Sequence, residues 1–505
     1  MGIMEKTLQG VTAVSGTIVN IDANLSFFFV KSLKGNYTNL EEKARQFIEI
    51  YRDTGITDLL FCIFEQSSLS RSNVLTTRND KYDQTEENGI PVDYVNHERI
   101  SLLHKLDELG LDIYDLWLKH TKAMGIHPWI TLRMNDAHFH GSETSFLRGE
   151  LYYEAKEKGW FIGLEKYGSY FGTCFNYAVP EIRRRMLDYI REQLDRYDVD
   201  GLELDFQREM MCFDVLNQPD CCNMMNGFIA DTRAIVRNAE EKWGHPISLM
   251  VRLARDPDQC KAMGFDARYW AEHGLVDAVA PAPRWGTTDS DMPIARWVEL
   301  MEPYGVKVHA GLEINVLRAD GISRTTLEIA KAHTVQYSDQ GSDKIYLHNF
   351  FTQSDNHVKG TPLKQIWQAC ADPCLAAKGE RRYVVTRQDD SFCDIDNPSL
   401  PRGWNPLPQV VTGEYTFEIK TGPVNTGDAV TLYVGADGEY TVSVNGIPAE
   451  VMGAGEDAYV TRSPVLEPGT VTAFRVTTTG SHTQNVTVRA HKAMVRYLEL
   501  KVDGK

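Results

Sequence analysis

The sequence predicts an α/β protein: a (β/α)8 barrel of the TIM type over residues 1–378, then an antiparallel β-sandwich over residues 379–505. Three observations carry this. Apolar strand-like runs alternate with helical stretches about eight times over roughly 330 residues, as α/β folds require. The strands read as near-continuous apolar runs, the mark of strands covered on both faces. No glycine-rich phosphate turn follows the first of them, which argues against an open dinucleotide-binding sheet.

The elements follow in order. Ser26–Val30 (SFFFV) is a compact apolar run preceded by Asn20, Asp22 and Asn24, and it fixes the place of the first strand. Leu40–Thr54 has helical periodicity, and Asp58–Phe64 (DLLFCIF) reads as a buried strand. Residues 65–96 are polar and too long for an ordinary connection, so they form a loop or lid over a site. Val95–Met124 is an amphipathic helical region. The third strand opens Trp129–His140 (WITLRMNDAHFH), which ends in a crowd of polar groups: Arg133, Asn135, Asp136, His138 and His140. Residues 141–173 are a second long insertion.

Pro180–Arg196 is a helix with proline in its first turn. Strands at Val199–Phe206, Ile247–Ala254, Val276–Ala282, Val306–Ile314 and Lys344–Phe351 then alternate with helices. Those helices are Asn223–Trp243, a stretch near Asp266–His273, Met292–Pro303, and Ser323–Gln340 with a serine cap. Pro362–Lys378 is a last helix. Beyond about Arg381 the texture changes to short alternating runs between glycine-rich turns, such as Glu414–Ile419 and Tyr440–Val444. The run offers no obvious aromatic platform, so its plain role is packing against the barrel.

The chain has 505 residues, 42% hydrophobic and 24% charged, an ordinary globular balance. A net charge of −17 argues against nucleic acid or an anionic membrane as partner. Nine cysteines, two of them adjacent at Cys221 and Cys222, read as reduced thiols. Met1–Gly16 lacks the pattern of a secretory signal, so the expected location is cytoplasmic.

Barrel chemistry sits where strands end. Here those ends carry Asp22, then Arg133 to His140, then Glu203, Asp205, Gln207 and Arg208, then Arg252 and Arg255, Arg284 and Trp285, Glu313, and finally His348 and Asn349. Arginines at four successive strand ends are notable in so acidic a chain. Each one could simply pair with Glu203, Asp205, Glu209 or Asp256 and hold the rim together. As a set, their planar forks point to an anionic substrate, most simply an acidic sugar.

DGLELDF (Asp200–Phe206) puts Glu203 and Asp205 on one face of a strand, a pattern shared with many barrel glycosidases. The position where chitinase-like enzymes keep their acid is Gln207, so that mechanism lacks its proton donor. His138 and His140 form an HxH, but strands five and six supply Arg252 and Arg284 where a metal site would need histidines. No metal and no cofactor is expected. His138, beside Asp136, is placed to move a proton.

RMNDAH (Arg133–His138), with an aspartate near the first strand, an arginine after the fourth and an asparagine on the eighth, resembles the inverting exo-sialidases of glycoside hydrolase family 156. Those are (β/α)8 barrels with a C-terminal β-sandwich. The resemblance implies His138 as Brønsted acid, Asp22 as the base that activates water, and Asp136 as the group that orients or charges the histidine. It implies Arg133 and Arg208 on the sialic acid carboxylate with Asn349 nearby. Asn135, Asp205 and Arg252 complete the candidate substrate-binding set. It also implies a homodimer, and sialylated glycans as substrates. Two other readings remain at this point: a glycosidase or lyase acting on uronic acids, and a non-catalytic sugar-binding barrel.

Overall fold

The computed structural model describes residues 16–78, 80, 104–138, 145, 147–163, 171–215, 217–218, 220–283, 287–318, 321–351, 363–386, 407–425, 429–459, 471–478 and 480–504. Eight parallel strands close a barrel: β1 (Thr17–Ile21), β2 (Ile56–Phe64), β3 (His127–Arg133), β4 (Gly201–Asp205), β5 (Ser248–Ala254), β6 (Ala278–Ala282), β7 (Lys307–Glu313) and, after a β8–β9 hairpin (Asn315–Arg318 and Gly321–Arg324), β10 (Lys344–His348). β10 pairs with both β7 and β1, which closes the ring. The barrel is the predicted one.

Two local expectations are corrected. The first strand is Thr17–Ile21, ahead of Asp22, and Ser26–Val30 lies inside the helix Leu25–Ser32. A short apolar run has no period of its own to choose helix or strand. Here Phe29 packs edge-on against Trp117, centroids 5.9 Å apart, and so builds the helical layer. The Ser323 cap is also displaced: Ser323 belongs to β9, and the helix is Leu327–Asp339, capped by the Thr326 side chain accepting from Ile329 N–H.

The barrel wall is apolar outward and layered inward, because alternate strand residues face opposite sides. Outward residues such as Val19, Leu59, Phe61, Ile130, Leu132, Leu202, Leu204 and Val251 are buried under the helices. Each such side chain contributes about 1.5–3 kcal/mol relative to exposure. The inner floor is Ile18, Leu60, Trp129, Met250, Ala278, Ala280 and Tyr346. Above it the interior turns polar, and that change of character positions the site.

The C-terminal strands are β11 (Glu380–Val384), β12 (Gln409–Val424), β13 (Ala429–Asp437), β14 (Tyr440–Val444), β15 (Ile447–Pro448), β16 (Glu450–Ala454), β17 (Val471–Thr477) and β18 (Ser481–Asp503). They form one antiparallel sheet in which β18 pairs with β11, β12, β13 and β14. Its 23 residues serve both halves of the domain, which fold over a core including Phe417, Leu432, Phe474 and Leu500. Against the barrel, His482 Nδ1 lies 2.7 Å from Asp339, and the Tyr459 hydroxyl donates to the Arg324 carbonyl. No helix among the described residues is long and apolar enough to cross a membrane.

Candidate active site

Strand register dictates which groups meet at the mouth. Arg133 is level with Asp205, and Asp205 with Arg252. His348 is level with Glu313. In β2 the register slips between Cys62 and Phe64, which sets Phe64 against Leu132 and carries Glu65 to the level of Arg133. An extra residue of this kind re-aims the side chains that follow it.

Two polar layers result. In the lower one, Glu203 Oε1 accepts from Thr131 Oγ1 (2.6 Å), Asn20 Nδ2 (2.9 Å) and the Tyr346 hydroxyl (2.9 Å). Burial, reinforced by the charge of Asp205, pushes the Glu203 carboxyl up to about 8. In the upper layer Arg252 Nη1 lies 3.1 Å from both oxygens of Asp205, and its Nη2 donates to Glu313 at 2.9 Å. Burial disfavours charge on Asp205, but Arg252, His348 and Arg133 outweigh it and hold the carboxyl below its usual range.

Beside this lies a second cluster, on the ends of β1 to β4. Arg133 reaches Asp22 with Nη2 (3.0 Å) and Glu65 with Nη1 (2.8 Å), and lies 3.5 Å from Asp136. Glu65 also pairs with Arg78, which the loop after β2 returns to the rim. Asp136 Oδ1 accepts from His138 N–H and faces His138 Nδ1, each at 2.8 Å. Gln66 donates to Asp136 (3.2 Å) and to the His138 carbonyl (2.9 Å), and is itself held by Arg148. Arg208 contacts the His138 ring at Nε2, and its Nε lies 3.5 Å from Asp136.

The electrostatics follow. Burial opposes a charged His138, but the Asp136 carboxylate, with help from a Glu65 hydrogen bond, outweighs both burial and Arg208 and raises the imidazole to about 9. Burial likewise opposes charge on Asp22, yet Arg133 and the Asn24 backbone N–H hold its carboxyl far below the usual range. Asp22, Glu65 and Asp136 bring three negative charges, Arg78, Arg133 and Arg208 bring three positive ones, and protonated His138 leaves these seven groups one positive charge in excess, with Arg148 behind Gln66 adding to it. Such a cluster attracts an anion.

The predicted residues therefore divide. Asp22, Arg133, Asp136, His138 and Arg208 come together. Asp205 and Arg252 are buried against each other, so that pairing, rather than a sugar, uses the forks of Arg252. Arg133 is 3% exposed and shared among three carboxylates, so as a substrate ligand it would first have to leave them. Asn135 has its amide taken by the Phe175 and Met211 carbonyls and the Phe175 N–H, which makes it a loop staple. Asn349 adopts a left-handed φ of 66° at the end of β10, and its Oδ1 has no partner among the described residues. Asparagine adopts this backbone region more readily than most residues, and here it turns the chain out of the end of the strand. His140, Arg284, Trp285, residues 79 and 81–96 of the first long loop, and residues 141–144, 146 and 164–170 of the second lie outside the described residues.

Glu65, Gln66, Arg78 and Arg148 were missed. A signal was available for the first: Glu65 is the first charged residue after a buried strand, the rule that selected the other rim groups. Glu65, Asp136 and His138 offer three ligand atoms within 4.8 Å of one another. Three guanidiniums already balance the carboxylates there, so the donor set does not fit a resident cation.

No protein-family model matches the chain, and no curated protein does. Similar solved structures include a cycloisomaltooligosaccharide glucanotransferase from Paenibacillus sp., 9% identical over 96% of this chain and 57% of that one, TM-score 0.32. A chitinase from Paenibacillus sp. is 11% identical over 94% of this chain and 54% of that one, TM-score 0.39. An Anoxybacillus alpha-amylase is 10% identical over 97% and 98%, TM-score 0.38. The chain spans just over half the length of the first two. At these scores the likeness bears on no residue of the site.

Proposed function

We propose that the chain is a glycoside hydrolase that releases a terminal acidic sugar, a sialic acid, from sialosides by a single inverting displacement. One observation supports this reading above the others: the His138–Asp136 pair sits at the barrel mouth in a cluster that carries one positive charge in excess when the imidazole is protonated. An acid already charged at neutral pH, beside an arginine, suits an anionic sugar and a basic leaving oxygen.

The chemistry is as follows. Nδ1 of His138 is turned to Asp136, so the proton for the glycosidic oxygen leaves from Nε2, once the sugar carboxylate has drawn Arg208 off that nitrogen. Asp22 accepts a proton from the water that attacks the anomeric carbon while the bond to the leaving oxygen breaks. Asp22 is a weak base, because Arg133 holds it ionised. That suffices when the transition state is oxocarbenium-like and water adds late. Arg208 and Asn349 meet the sugar carboxylate, and Arg133 fixes Asp22 rather than the substrate.

The test is proton NMR of the sugar first formed from sialyl-lactose-type substrates. The inverted anomer is expected, and His138→Ala is expected to lose a factor on the order of 10²–10⁴ in rate. Release of the retained anomer defeats the mechanism. Hydrolysis of glucuronides or galacturonides in place of sialosides moves the substrate to uronic acids. Full biological output from the His138→Ala protein defeats the enzyme altogether.

A further inference from the structure

A second carboxylate reaches His138 from a different strand. Glu65 leaves the end of β2, is 6% exposed, and places Oε1 3.4 Å from His138 Nδ1 while accepting from Arg133 Nη1 at 2.8 Å. Its other oxygen pairs with Arg78. The loop that returns Arg78 is built for this. Ser68 N–H donates to the Thr76 carbonyl and Arg78 N–H to the Ser68 carbonyl, both at 2.9 Å. Ser70 is tied to Gln193 of the helix Pro180–Arg196 at 2.8 Å.

We propose that Glu65 is a positioning residue that sets the charge of the His138 imidazole, with Arg78 as its opposing counter-ion. Glu65 and Arg78 act on His138 in opposite directions. The carboxylate stabilises the imidazolium directly, whereas Arg78 draws that carboxylate's charge toward itself and adds a cation nearby. Among the described residues, Asp136 on its own strand end and Arg208 from β4 also meet the ring, and the other charged groups of the cluster are Asp22 from β1, Arg133 from β3 and Arg148, which acts through Gln66. None of these side chains is itself substituted in a Glu65 or Arg78 variant. This role rests on the glycosidase reading only in what the proton is used for; the coupling itself is a property of the free protein.

Imidazole NMR titration of the full chain tests it, with the His138 ring signal identified by its loss in His138→Ala. Glu65→Gln keeps shape and removes charge, so the His138 titration is expected to fall, on the order of one pH unit for a neighbouring charge. Arg78→Gln is expected to move it upward. Opposite shifts support the proposal. Shifts of one sign in both variants mean that the loop has merely loosened, and no shift in Glu65→Gln means that Asp136 acts alone; either overturns it. Glu65→Asp keeps the charge at shorter reach and is expected to recover part of the wild-type value, which preserves the test if Glu65→Gln folds poorly. In sialoside hydrolysis the basic limb of kcat against pH is expected to follow these shifts with KM nearly constant. A wild-type protein that cleaves no sialoside defeats the functional reading alone and leaves the titration to decide this one.

Discussion

Nδ1 of His138 lies 2.8 Å from Oδ1 of Asp136, the residue two places before it. Each partner perturbs the other: the imidazole is raised from 6.5 to about 9, and the Asp136 carboxyl is held well below 3.8. The stabilisation on the histidine side is complete below about pH 6.5 and is lost as pH rises through about 9. On the aspartate side it is present above about pH 3.8 and is lost as pH falls toward the depressed value. Asp136→Asn removes the aspartate contribution and the larger share of the histidine one, Glu65 retaining the rest. The gap in melting temperature between wild type and this variant is expected to be widest between those limits and to close on the alkaline side. A gap that stays constant across pH 9 would mean that the imidazolium contributes nothing.

Arg252 bridges Asp205 and Glu313 inside the barrel with no exposure of its own. Arg252→Met keeps the stem and removes the charge, leaving two buried carboxylates without their cation. Breaking a buried pair by removing one partner costs about 3–5 kcal/mol. Urea unfolding is expected to show a lower midpoint with little change in slope. A loss below ~1 kcal/mol would mean that water or His348 compensates.

The order of barrel strands was legible because seven of them are apolar runs set in regular alternation with helical stretches, a pattern that fits doubly covered strands. β1 was not: TIVNI is five residues with Asn20 inside, and the stronger apolar run after it belongs to a helix. Asp22 was still found, since the site depends on the strand end rather than on the strand. Sequence could place arginines on the rim but not say which carboxylates they meet, because those partners come from strands tens of residues away. Arg133 with Asp22 and Glu65, and Arg252 with Glu313, are such pairs. Glu65, although the first charge after a buried strand, is hidden in sequence because it opens a long polar stretch that reads as one loop.

Glu203 offers a pH test of the lower layer. Its carboxyl is raised from 4.5 to about 8, so the folded chain keeps a proton there that the unfolded chain releases. Stability is therefore expected to fall as pH rises from about 4.5 toward 8 and then level off. Glu203→Gln stays neutral throughout and escapes that loss. Relative to wild type, the variant is expected to gain stability between pH 5 and pH 8 in thermal unfolding. An unchanged difference across that interval would place the proton elsewhere in the layer.

At the barrel floor, Gly201 is level with Trp129, and a Cβ added there would lie 2.1 Å from the indole ring. The ring cannot yield easily: Nε1 donates to Asp58 at 3.0 Å, and Lys344 holds the same carboxylate. Gly201→Ala is therefore expected to cost about 1–3 kcal/mol by overpacking, despite the entropy that alanine would otherwise recover. Trp129→Phe alone should also destabilise, through the lost bond to Asp58 and a smaller ring. Combined, the smaller ring makes room for the alanine Cβ and the Cβ fills part of the void, so the double variant is expected to be more stable than the sum of the single losses predicts. Strict additivity in urea unfolding would mean that the ring is displaced sideways rather than pressed against the strand, and that Gly201 is not the reason Trp129 can fill the floor.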